Sequence, residues 1–155
     1  MTATSLLFRV PTPTVSPVTV RAVRSEDAST LLRLARELDG QDAASGGLLE
    51  FHEALFDAPV RAWAWLAFVG GEAVGHAVAT VGFSLRARGY CLQLDTLHAR
   101  DEWATPAGAA LFDEVRAMAR RLGCVQLQWH EACEDIGFQA LDARRDGVRH
   151  VVSLA

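Results

Sequence analysis

Tyr90 to Trp129 reads YCLQLDTLHARDEWATPAGAALFDEVRAMARRLGCVQLQW: a strand, a small-residue loop, a helix and a second strand in succession. That order is a βαβ unit. Leu92, Leu94 and the run to Leu97 sit at strand spacing within Tyr90 to Ala99, and Cys124 to Trp129 is short and apolar directly after a glycine. Between them Leu111, Val115, Met118, Ala119 and Leu122 fall on one face of a helix, expected over Pro106 to Leu122 and closed by Gly123. The loop that opens this helix would present backbone N–H groups and the positive end of the helix dipole, which favours a phosphate-bearing ligand.

Half of the 155 residues are hydrophobic, enough for one core of ordinary size. No apolar run reaches the roughly 18 residues that a bilayer-crossing helix needs, and the N-terminus shows no basic segment or signal-peptide core. A cytoplasmic protein with no membrane partner is expected. Net charge is −4, and the fifteen basic residues are all Arg and spread along the chain, so nucleic acid is not an expected partner. Cys91, Cys124 and Cys133 lack metal-type spacing and read as reduced thiols, so no metal site is expected.

Met1 to Pro17 holds three prolines among Thr and Ser and reads as an extended or disordered lead-in to a domain over residues 18–155. Val18 to Val23 alternates as a strand, and Ser25 with the acids Glu26 and Asp27 opens a helix through Leu31, Leu34 and Leu38 to Gly40. A polar loop, Gln41 to Gly47, leads to a second short helix, Leu48 to Phe56, with Glu50, Glu53 and Asp57 on or beside it. Beyond Pro59 the period changes to two. Trp63 to Val69 and Ala73 to Phe83 read as a hairpin turning at Gly70-Gly71, and a turn near Arg88-Gly89 enters the strand at Tyr90. The tail suggests a helix from about Asp135 to Arg145, a turn at Asp146-Gly147 and an edge strand Val148 to Leu154.

This order, together with Gly75-His76-Ala77, Ser84, Gly89, Leu92 to Leu97 and Leu122-Gly123-Cys124, resembles the GCN5-related N-acetyltransferase (GNAT) family from Val18 onward, and within it the spermidine/spermine acetyltransferase-like branch. The resemblance implies a single α/β domain with the acyl-CoA N-acyltransferase fold, a mixed central sheet splayed at strands 4 and 5 with flanking helices. It also implies transfer of acetyl from acetyl-CoA to a small-molecule primary amine by direct attack on the thioester. Such chemistry needs a base, because an amine with a pKa around 10 must shed a proton, and above all it needs both reactants held together.

By this resemblance Asp95 on the fourth strand is the base, His98 a second proton acceptor, and Asp142 falls where the family carries its proton donor to the thiolate. An ionised Asp142 is ill suited to that task. Backbone groups of Leu97, His98 and Ala99 would pair with the pantetheine amides. The phosphate loop departs from the family pattern of Gln or Arg, two residues, Gly, one residue, then Gly or Ala. Here Trp103-Ala104-Thr105-Pro106-Ala107-Gly108 is one residue short, keeps only Gly108, and Pro106 has no N–H to donate. Ala104, Thr105, Ala107, Gly108 and Ala109 would form a reduced cradle, with Arg100 as a substitute charge. Glu50, Glu53 and Asp57 would attract a cationic amine. The alternative is a catalytically impaired GNAT-like domain serving as a ligand-binding or protein-interaction module, and an exposed strand edge would suit a homodimer.

Overall fold

The structure, a computed structural model, describes residues 17–39, 47–130, 144–146 and 149–154. Its elements are β1 (Thr19–Ala22), α1 (Ala28–Asp39), α2 (Leu48–Phe56), β2 (Ala62–Val69), β3 (Glu72–Ser84), β4 (Gly89–Ala99), α3 (Ala104–Arg121), β5 (Gln126–His130), β6 (Arg144–Asp146) and β7 (Arg149–Ser153). Short 3-10 turns, Ser25–Asp27 and Asp101–Trp103, precede α1 and α3. Among the described residues no helix is long and apolar enough to cross a membrane.

The residues of β2 are apolar on both faces, so the sheet must be covered on both sides. Trp65 and Ala67 pack with Leu111, Phe112, Val115 and Ala119 of α3, while Ala64 and Leu66 pack with Leu31, Leu34 and Leu55 of α1 and α2. The seven strands run in the order β1-β2-β3-β4-β5-β7-β6, antiparallel throughout except for the parallel pair β4–β5 that α3 connects. That pair holds over only four positions, Cys91 with Gln126 through Leu94 with Trp129. Asp95–Ala99 runs on beside β3 alone among the described strands, so the sheet splays there as expected.

Helix α3 ends as its sequence dictates. Gly123 adopts a φ of 69°, its N–H bonds the Arg120 carbonyl at 3.0 Å and the Cys124 N–H bonds the Ala119 carbonyl at 2.9 Å, the paired bonds of a Schellman motif. Its start differs from expectation: the helix begins at Ala104, with Trp103 as N-cap. The tail differs too. Arg144–Asp146 is not the end of a helix but the edge strand β6, and β7 lies inside the sheet between β5 and β6. The remainder of that expected helix, the N-terminal lead-in before Pro17 and the loop 40–46 lie outside the described residues.

The entry to α1 is fixed by one ion pair. Arg21 donates from both guanidinium nitrogens to Asp27, at 2.6 and 3.0 Å, and the Arg24 N–H donates to the same carboxylate at 2.8 Å. The Arg21 hydrogen bond, against the opposing effect of burial, lowers the Asp27 carboxyl from 3.8 to about 2. A carboxyl lowered on folding stabilises the native state above its unfolded value, and that contribution disappears as pH falls through the folded value. The thermal midpoint should therefore fall as pH drops from about 3.8 through about 2, and Asp27→Asn should flatten that fall while lowering the midpoint at neutral pH. Gly123→Ala, forced into the left-handed region, should cost about 1 kcal/mol in urea unfolding with an unchanged slope.

Candidate active site

The cleft begins where the β4–β5 ladder stops. On the opposite flank of β4 the register with β3 slips at the same place, Val78 facing Thr96 but Ala79 facing Leu94, which leaves Asp95 as the extra residue of a β-bulge. Leu92 and Leu94 before the bulge and Leu97 and Ala99 after it all pack into the α3 side of the core. Asp95 stays exposed on the other face and accepts a hydrogen bond from the Thr80 hydroxyl at 3.3 Å. Desolvation raises the Asp95 carboxyl above its ordinary 3.8, opposed by the Thr80 hydrogen bond and by the charge of His130.

Asp95, Gln93, Leu94, Gln128, Trp129 and His130 line a cavity of about 30 Å³, room for about two ordered waters. Behind it Trp129 is wedged between the Phe112 ring, edge-on at 5.3 Å, and the His150 ring, stacked at 5.6 Å. His130 was not singled out in the sequence. Its signal was alternation: two residues beyond the buried Gln128 on β5, it shares the face that Asp95 occupies on β4. His98 lies outside this cavity, half-buried, its ring 5.7 Å from the buried His76 ring.

The free flank of β4 offers backbone. The Arg100 N–H bonds the Val74 carbonyl at 2.9 Å, and pairing alternates from there, so the His98 backbone is directed to His76 while the N–H and C=O of Leu97 and Ala99 point away from β3, toward the gap. Of the three residues expected to pair with a pantetheine arm, Leu97 and Ala99 direct their backbone groups away from β3, both being buried, and His98 directs its own to β3.

The start of α3 offers less than expected. With Trp103 as N-cap, the N–H groups of Ala107, Gly108 and Ala109 are consumed as helix donors. The Ala104 N–H bonds the Asp101 carbonyl and Pro106 has none, which leaves Thr105 as the first-turn donor for an anion. Arg100 is engaged as well: its guanidinium donates to Glu37 at 2.9 Å and to Glu72, and the two carboxylates raise its pKa further. A diphosphate would meet few donors and no unengaged Arg100 at this end of the site.

The acids of α2 divide. Glu53 and Asp57 line one shallow depression together with Arg61, while Glu50 is exposed outside it. Asp142 lies outside the described residues, as does Cys133. Cys91 and Cys124 are buried free thiols whose pKa is raised by desolvation.

Neither a scan of protein-family models nor a search of curated proteins finds a match to the chain. Solved structures do match. An integron cassette protein from the mobile metagenome of Cole Harbour Salt Marsh aligns with a TM-score of 0.66 and 26% identity over 88% of this chain and 90% of its own. The ribosomal-protein-alanine N-acetyltransferase of Brucella melitensis biovar Abortus 2308 aligns at 0.64 with 18% identity over 83% and 94%. A chain of the NatC complex bound to Gag peptide and CoA aligns at 0.68 with 8% identity over 90% and 99%. The splayed β4–β5 pair, the bulge at Asp95 and these likenesses together establish that the chain has the acyl-CoA N-acyltransferase fold of the GCN5-related N-acetyltransferases.

Proposed function

We propose that the chain is an N-acetyltransferase that moves acetyl from a coenzyme A-type pantetheine thioester to a primary amine, with Asp95 as the general base. The observation that carries this reading is the coincidence, at one residue, of the bulge, the end of the parallel ladder and a carboxylate in the cleft. When bound, the thioester supplies an electrophilic carbonyl. Leu97 and Ala99 hold the arm through their backbone, strand to strand. Asp95 takes the proton that the amine sheds as the N–C bond forms and the C–S bond breaks, and solvent returns one to the departing sulfur, which leaves readily. The raised pKa of Asp95 strengthens it as a proton acceptor.

The acceptor we place among hydrophilic cationic amines, polyamines included. Gln93, Gln128 and Thr80 give the cleft a polar lining, and in a separate depression Glu53 of α2 and Asp57 just after it carry negative charge, tempered by Arg61.

Asp95→Asn should lower the transfer rate about a hundredfold or more and leave donor binding intact, because the donor is held by backbone groups. The variant should recover as pH rises and more of the amine is already neutral. Equal rates for wild type and variant across about pH 7 to 9 would remove Asp95 from the mechanism. A wild type that acetylates none of a broad amine panel and binds no donor would point instead to a non-catalytic binding module.

A further inference from the structure

We propose that the donor is recognised through its pantetheine arm alone, so that a pantetheine thioester lacking the nucleotide serves this protein as well as acetyl-CoA does. The inference rests on the acetyltransferase reading and concerns the class of donor.

The two ends of the site are built for different chemistry. Along β4 the outward N–H and C=O groups of Leu97 and Ala99 recur at a strand's two-residue repeat of about 6.6 Å, which suits an arm carrying two amides. At the opening of α3, where a diphosphate would need donors and positive charge, the first turn supplies the Thr105 N–H, since Ala104 is bonded to Asp101 and Pro106 has no N–H. Arg100, the cation next to this turn, is held by Glu37 and Glu72. Asp101 and Glu102, both exposed, lie in the 3-10 turn between Arg100 and α3 and add negative charge just ahead of the helix. Four carboxylates against two guanidinium groups, Arg100 and the Arg33 that pairs with Glu37, leave a net negative charge that repels a diphosphate instead of cradling it, and they leave the uncharged part of the arm indifferent.

The test is a comparison of S-acetyl-pantetheine, S-acetyl-4′-phosphopantetheine and acetyl-CoA, in calorimetry and as donors to one amine. Each charge-assisted hydrogen bond to a diphosphate is worth roughly tenfold or more, so an enzyme that reads the diphosphate loses at least about a hundredfold in kcat/KM when the nucleotide is removed. Here the three donors should agree within about threefold, a gap smaller than one such bond. Raising salt from about 0.05 to 0.5 M should tighten acetyl-CoA binding by screening the carboxylates and leave S-acetyl-pantetheine unchanged. Glu37→Gln with Glu72→Gln, by releasing Arg100, should favour acetyl-CoA over S-acetyl-pantetheine.

Acetyl-CoA preferred by more than about tenfold, with binding weakened by salt, would overturn this inference and leave the acetyltransferase reading standing. Binding of none of the three would overturn both. A carrier protein bearing an acetylated phosphopantetheine presents the same arm. If it outperforms the free thioester, the source of the arm is a carrier; otherwise it is a small thioester, and the inference holds in both cases.

Discussion

Among the described residues, parallel pairing between β4 and β5 holds for four positions, and packing fixes both strands where it ends. The extra residue at Asp95 bends and twists β4 just as the ladder ends. On the other side Trp129 is held between the Phe112 and His150 rings, which fixes the end of the paired stretch of β5. Dense packing makes such an arrangement discrete, not elastic. The break in the ladder, the backbone of Leu97 and Ala99 left without a strand partner on that flank among the described strands, and the placement of a carboxylate at the break all descend from this one interruption.

The electrostatic layout follows a second constraint. A chain with net charge −4 and nineteen acidic residues must place its carboxylates somewhere, and the junction of α1, β3, β4 and α3 receives several of them. Arg100 is thereby committed to structure, tying Glu37 on α1 to Glu72 on β3 at the end of β4. The same residue cannot at once brace three elements and serve as an unattached charge for a ligand.

Much of this was legible in the sequence, and what was missed has identifiable causes. The βαβ unit, the two-faced β2 and the glycine stop of α3 are local patterns, and they folded as written. The bulge was also written there: Leu92, Leu94, Leu97 and Ala99 are spaced two, three and two apart, and an alternation that skips one beat marks an inserted residue. The start of α3 lies two residues ahead of Pro106, the proline that the sequence offers as a first helical residue. Proline is tolerated anywhere in a first turn whose N–H groups lack helical acceptors, and the acids Asp101 and Glu102 were the better start signal. The engagement of Arg100 was out of reach, since its partners lie 63 and 28 residues away. His130 was hidden for a related reason: its nearness to Asp95 exists only once β4 and β5 are side by side.

The glycine opposite the free edge has a kinetic meaning. A Cβ at Gly75 would sit 2.8 Å from the His98 carbonyl oxygen and 2.9 Å from the Ala99 Cβ, so β3 presses against β4 with no slack. The stretch that offers its backbone to a ligand is thus backed by a rigid neighbour and is already in its bound shape. Leu97 and Ala99 are themselves buried, so an arm reaches their backbone only after the atoms that cover it move aside, and complex formation should include an opening step on that flank.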